Sequence, residues 1–239
     1  MWAFFKKRSF SKPKEVYPRW LALQSKLKEA KNVIDLGCGN NPIPQAKVGV
    51  DLYLETKERN SGTGPVIDVE KFKARGVQFV NTRIDGPLPF QDKQFDFAYS
   101  HHVFEHLEDP ATACREMIRI ARSGVIITPS YFAEIIFGRP YHRWLVMDRD
   151  NTLFFFRKRP FENLPFGLMP KRSKDGETWM MDQDTNPFDM LLNDEEWYRG
   201  QEGQIPKLSN ILRHHWYGHS PLLEVVFLWD NQFQWKIFE

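Results

Sequence analysis

Cysteine is scarce. Cys38 and Cys114 are the only two in 239 residues, and their spacing pairs with nothing. A disulfide scaffold and a cysteine zinc ribbon are therefore excluded, and a reducing, cytoplasmic setting is expected. No apolar run reaches the roughly 18 residues that a membrane span needs. A strong charge of one sign is also missing. Thirty-three Lys and Arg stand against 31 Asp and Glu, and the resulting +2 is too small to argue for nucleic acid. There is no internal repeat and no low-complexity tract. With 41% hydrophobic and 27% charged residues, the composition is that of an ordinary globular chain and excludes disordered and collagenous classes. At roughly 100–200 residues per domain, a single domain over 1–239 is expected.

The charge is unevenly placed. Residues 1–31 carry nine Lys or Arg against Glu15 and Glu29, while the remainder is net acidic. Within residues 1–14, Trp2, Phe4, Phe5 and Phe10 lie among Lys6, Lys7, Arg8, Lys12 and Lys14. A secretory leader places an apolar stretch of roughly 7–15 residues after its basic ones. Here the order is reversed, and secretion is not expected. Two readings stay open: a frayed basic tail packing on the body, or peripheral contact with an anionic membrane or RNA.

From Glu15, the apolar positions Val16, Trp20, Leu23, Leu27 and Ala30 recur at helical steps. Short apolar runs then predict strands at Val33–Leu36, Val48–Leu52, Val77–Val80, Phe95–Ser100 and Val125–Thr128. Between the last two, Asp109 and Pro110 form an N-cap and first-turn pair. The helix they open has Ala113, Met117, Ile120 and Ala121 inside and closes at Gly124. Strands alternating with helices predict an α/β, three-layer, mostly parallel sheet. Residues 130–221 show weak periodicity, with a possible strand at Asn151–Arg157 and a short helix at Asn193–Tyr198. Leu222–Trp229 and Phe233–Phe238 read as an antiparallel hairpin around a three-residue loop, which brings the sheet to seven strands. The expected layout is a basic tail and helix (1–31), a binding core (32–129), an acceptor or lid insertion (130–221) and a closing hairpin (222–239).

The run Val33-Ile34-Asp35-Leu36-Gly37-Cys38-Gly39-Asn40 places an acid near a strand's end, followed by Gly-x-Gly. Such glycines let a ligand approach the backbone at the carboxyl ends of the strands. The pattern weakens the nicotinamide, flavin and nucleoside triphosphate readings. The third glycine of the dinucleotide fingerprint is replaced by Pro42, and Asp51 follows Gly39 by only 12 residues where the fingerprint has about 20. A Walker lysine is absent. An acid at Asp51 still suits a ribose, because a carboxylate can accept from both hydroxyls.

Four segments together resemble the class I methyltransferases that use S-adenosylmethionine (SAM), in the small-molecule group. They are Val33–Asn40, Gly49–Leu52, Leu88-Pro89-Phe90 with Asp92–Phe97, and Tyr99-Ser100-His101-His102-Val103-Phe104-Glu105-His106-Leu107 with Glu108-Asp109-Pro110. The resemblance covers residues 30–130. It implies that Gly37, Cys38 and Gly39 line the methionine part of SAM, with Asp35 near its amino group. It also implies that Asp51 holds the ribose, Leu52 flanks the adenine, Asp85 accepts the adenine amino group with Ile84 on the ring, His101 and His102 stand beside the reactive methyl, and Ser100 and His101 belong to the cofactor site. The short span from Gly39 to Asp51 leaves room for only a turn or two of the first crossover helix.

A hydroxyl acceptor needs a base. His102, His101 and His142 are the leading candidates, with His106 and Glu105 behind them. Arg139, His142 and Arg143 could grip an anionic acceptor. His214, His215 and His219 have no adjacent acid, and no metal is expected. DNA is disfavoured, because His101-His102-Val103-Phe104 stands where amino-methyltransferases of nucleic acids carry an Asn or Asp followed by Pro-Pro and an aromatic. The expected function is methyl transfer from SAM to a small-molecule acceptor, with a sugar-type or glycolipid-precursor hydroxyl as first choice. The alternatives are an RNA or protein methyltransferase docking through the basic N-terminus, and a non-catalytic SAM-binding protein.

Overall fold

The computed structural model describes residues 18–52, 67–131, 133–134, 142–158, 171–172, 179–180 and 224–239. Its elements are α1 (Pro18–Glu29), β1 (Val33–Leu36), β2 (Ala46–Asp51), α2 (Val69–Ala74), β3 (Gln78–Asn81), β4 (Phe95–His101), a 3-10 turn (Phe104–His106), α3 (Pro110–Ile120) and β5 (Ala121–Pro129). There follow β6 (Trp144–Arg149), β7 (Thr152–Arg157), the two-residue strands β8 (Lys171–Arg172) and β9 (Trp179–Met180), β10 (Glu224–Asp230) and β11 (Gln234–Phe238).

Six strands form the central sheet in the order β10-β5-β4-β1-β2-β3. All pairs are parallel except β10 on β5. The alternation of side chains along each strand builds a different layer on each face. Trp20 and Leu23 of α1 pack on Val33, Phe97, Tyr99, Val125, Ile127 and Val226. The opposite face buries Ile34, Leu36, Val50, Ala98 and Ile126 against Met117 and Ile120 of α3 and Trp144, Val146, Leu153 and Phe155 of a second sheet. The α/β class and three-layer architecture are those expected.

The ends of the chain are arranged differently from the expected hairpin. β10 joins the central sheet, whereas β11 leaves it and pairs in parallel with β7 in a sheet ordered β11-β7-β6. The central sheet thus has six strands among the described residues. Apolar runs flanking a three-residue loop suit either arrangement, and the register with β7 is what decides. The β6–β7 hairpin turns at Asp150 and Asn151, both at positive φ (48° and 55°). That is the conformation a two-residue turn of the primed type requires. β6 is absent from the sequence reading because Trp144–Arg149 lacks clean alternation.

Asp109 caps α3 as expected, accepting from the Thr112 amide at 3.0 Å. The helix ends earlier than predicted, however, and Ala121 already opens β5. Gly124 therefore lies inside a strand rather than at a helix end. A Cβ there would come within 2.4 Å of the Ala98 carbonyl oxygen and 2.8 Å of the Trp229 ring. The glycine is required by close packing, not by a turn. Leu88-Pro89-Phe90 is clamped to α3: Arg119 donates to the Leu88 and Phe90 carbonyls at 2.9 and 2.6 Å, and Glu116 accepts the Leu88 amide at 2.6 Å. Residues 1–17, Asn193–Tyr198 and His214–His219 lie outside the described residues. No helix among the described residues is long and apolar enough to cross a membrane.

Gly124→Ala should destabilise the fold by about 1–3 kcal/mol through overpacking. Gly86→Ala, where the nearest neighbour of an added Cβ is the Arg83 carbonyl at 3.9 Å, serves as the control. Urea unfolding of the two variants measures the difference.

Candidate active site

β1 has β2 on one side and β4 on the other, so successive crossovers leave in opposite directions and a crevice opens at the carboxyl ends. After Leu36 the chain turns sharply. The amides of Gly37 and Cys38 both donate to the Val50 carbonyl, at 2.7 and 3.2 Å. Gly37 has φ +78°, and a Cβ on it would strike Val103 at 2.2 Å. Gly39 also has positive φ, but a Cβ there meets nothing within 4 Å. The first glycine is needed for packing, and the second leaves its backbone open to a ligand.

Two carboxylates hold this loop. Asp51, at the end of β2, accepts from the Gly39 amide and from the Leu52 amide, each at 2.8 Å. A carboxylate has about four acceptor positions, so capacity remains for a diol. Asp35 is buried and accepts the Ile43 amide at 2.8 Å. Burial pushes its carboxyl up to about 7, and nearby Asp51 adds to this, against the Ile43 bond and the charge of Arg75. Cys38 lies under the loop with its thiol pushed up by burial. A Cβ on Gly49 would meet the Cys38 sulfur at 2.9 Å and Phe72 of α2 at 2.7 Å. Asp35, Gly37, Cys38, Gly39, Asp51 and Leu52 are thus brought together at one end of the sheet.

Three further expected site residues have packing or hydrogen-bond partners within the chain. Asp85 forms a two-point pair with Arg83 (3.0 and 2.9 Å) and accepts the amides of Glu108 and Asp109. It anchors the segment leading into α3. Ser100 is fully buried, and its hydroxyl donates to the Leu36 carbonyl at 2.9 Å, which ties β4 to β1. Ile84 is part of the main core.

His101 ends β4, and His102 follows it directly. Their Nε2 atoms lie 3.5 and 3.3 Å from Oε1 of Glu224, and Tyr99 Oη lies 3.2 Å from Nδ1 of His101. The two imidazoles hold Glu224 down at about 2 despite its burial. Burial pulls His102 down, but Glu224 and Glu105 outweigh it and the imidazole is raised overall. His102 has φ +56°, an uncommon conformation outside glycine that turns the chain into the 3-10 segment. His142 stands apart from this pair. Its Nδ1 bonds Glu134, which also accepts from Lys158 at 2.8 Å. Its ring packs edge-on to His106, with centroids 4.6 Å apart. Arg143 pairs with Glu108 at 3.2 Å, while Arg139 is outside the described residues.

Glu224, Glu134 and Lys158 did not emerge from the sequence. The two acids carry one usable signal: each is a lone charge inside an apolar run, Leu222-Leu223-Glu224-Val225-Val226 and Phe132-Ala133-Glu134-Ile135-Ile136. Such a charge, once buried, must find a partner.

Residues 34–128 match the family described as a methyltransferase domain. Over 112 residues the chain is 31% identical to ajmaline N-methyltransferase of Rauvolfia serpentina, covering 42% of this chain and 35% of that protein. It is 28% identical to an uncharacterized methyltransferase of Schizosaccharomyces pombe, covering 41% and 38%. The chain thus spans little more than a third of the length of these curated relatives. A solved SAM-dependent methyltransferase of Mesorhizobium loti is 21% identical with a TM-score of 0.37, over 59% of this chain and 64% of that one. Residues 34–128 are a class I, Rossmann-like methyltransferase domain, and the cofactor of such domains is SAM.

Asp35 generates a pH dependence. Between about pH 4 and 7 the folded chain keeps a proton that the unfolded chain, with an ordinary value of 3.8, gives up. Its contribution to stability therefore falls across that window and is level above it. Asp35→Asn should remove the fall. Comparing urea unfolding of both proteins at pH 5 and pH 8 should show wild type losing more, on the order of 1–3 kcal/mol.

Proposed function

We propose that this chain transfers the methyl group of SAM to a small-molecule acceptor, first of all a hydroxyl. The observation that carries the reading is the Gly39 backbone, open to a ligand and flanked by Asp51 and Asp35. The residues fit the cofactor. Asp51 offers acceptors to the two ribose hydroxyls, the Gly37–Gly39 turn admits the amino acid part, and Asp35 offers a carboxylate to its ammonium group. SAM supplies an electrophilic methyl on a sulfonium, already a good leaving group, so the protein mainly aligns the acceptor and excludes water.

His102 is the base we propose. It directly follows β4 at the carboxyl side of the sheet, its side chain is partly exposed, and Glu224 orients its ring. A base held in this way can take the acceptor hydroxyl's proton as the oxygen attacks. The small-molecule assignment, with sugar-type hydroxyls first, rests on the resemblance of residues 99–107 to that group. An acceptor reaching His102 would approach beside β6 and the start of β10.

Calorimetric titration should show SAM and its demethylated product binding to wild type. Asp51→Ala should bind them roughly 10–100-fold more weakly, the value of lost hydrogen bonds to a charged group. Absence of heat from folded wild type would remove the reading. Affinity for SAM should rise with pH through about 7 as Asp35 ionises, and Asp35→Asn should flatten that rise. With an acceptor found by screening hydroxyl compounds for product release, His102→Asn should lower turnover by roughly 10²-fold or more while SAM binding holds.

A further inference from the structure

Glu105 is fully buried, and among the described residues neither of its carboxylate oxygens has a hydrogen-bond partner. This is the most costly kind of group to leave in a protein interior, and it asks for a cation. Two imidazoles stand at the same place. His106 Nε2 lies 3.7 Å from Glu105 Oε1, and one ligand atom each from Glu105, His106 and His142 fall within 4.8 Å of one another. The three residues come from two separated parts of the chain, the 3-10 turn after β4 and the approach to β6.

From this arrangement we infer that Glu105, His106 and His142 form a binding site for a divalent transition-metal ion of the zinc type. Metal–ligand bonds of roughly 2.0–2.2 Å place ligand atoms up to about 4 Å apart, so modest side-chain rotation closes the triad on an ion. Two imidazoles with one carboxylate favour zinc, iron(II), cobalt(II) or nickel(II) over magnesium and calcium, which take oxygen ligands. The surroundings follow the same logic. Glu134 engages His142 at Nδ1, so an ion would be met by Nε2, and Glu134 is itself held by the buried Lys158. A carboxylate behind a ligand histidine fixes its orientation and raises its basicity. Three protein ligands leave positions open, and His106, about a third exposed, lies on the accessible side.

The other cluster of this kind, His101, His102 and Glu224, is less suited. Its carboxylate Oε1 is already shared between the two rings, and Tyr99 lies at Nδ1 of His101. The site at Glu105 is independent of whether the chain transfers a methyl group, although it lies next to His102, whose Nδ1 is 4.0 Å from Glu105 Oε1.

The test is titration of the chelator-treated full chain with cobalt(II), followed by its visible absorption, with zinc as competitor and magnesium as control. One equivalent of cobalt should bind, zinc should displace it, and magnesium should not. His106→Ala and Glu105→Gln should weaken binding at least tenfold. Glu134→Gln should weaken it by roughly 10–100-fold, as removal of an outer partner does. Because the buried positions could disturb folding, His106→Ala decides the matter if those variants unfold. No cobalt spectrum, equal affinity in wild type and His106→Ala, or loss confined to His101→Ala would overturn the site. SAM titration of the same chelated protein is a separate readout, so failure here leaves the methyl-transfer reading standing.

Discussion

Charge is brought to the carboxyl ends of a parallel sheet, and everything distinctive in this molecule depends on how that charge is held. Asp35, Glu105, Glu134 and Glu224 are all buried. Isolated carboxylates in an interior are unfavourable unless bonded or paired. Each here is treated differently. Asp35 takes one backbone amide and is pushed up to about 7; Glu224 takes two imidazoles and is held at about 2; Glu134 takes a lysine and a histidine; among the described residues, the Glu105 carboxylate takes no hydrogen bond. Neighbouring groups pushed apart in this way are a common mark of a site rather than of a scaffold.

The sheet makes this clustering unavoidable. β1 and β4 are adjacent and parallel, and both end where the chain must turn. Gly37 turns against Val103, which belongs to the loop after β4, so the glycine loop after β1 and the segment carrying His102, Glu105 and His106 touch each other. Ser100 adds a bond from β4 to the last carbonyl of β1. A change in one loop is therefore transmitted to the other through a contact that tolerates no added methyl group.

What the sequence made legible follows from this organisation. The five short apolar strands, the Asp109 cap and the turn at Gly37–Gly39 depend on neighbours in the chain, and local pattern reveals them. The role of Gly124 depends on Trp229 and Ala98, more than 25 residues away, and the destination of β11 depends on β7, so no local pattern contains either. The same holds for the site. Asp35, Gly39 and Asp51 come from one short stretch. Glu224 reaches His102 from 122 residues away. Asp85 had the right residue type for a ligand contact, but Arg83, two residues before it, and the amides of Glu108 and Asp109 already engage it.

The second sheet explains why the chain continues beyond its methyltransferase segment. β6 and β7 cover the α3 face of the central sheet through Trp144, Val146, Leu153 and Phe155, and Trp144 also donates its indole N–H to the Leu107 carbonyl at 2.7 Å. Arg143 donates its amide to the Glu105 carbonyl at 2.6 Å. These two bonds fasten the residues before β6 onto the 3-10 turn, and they bring His142 to Glu105 and His106. Were the sheet only a cover for the core, apolar contacts would suffice. Instead the residues flanking it, His142 before β6 and Lys158 after β7, meet Glu134, which follows β5, and cover alone gives no reason to bury that charge. The second sheet is thus tied to the segment that follows β4 by hydrogen bonds as well as by apolar contact.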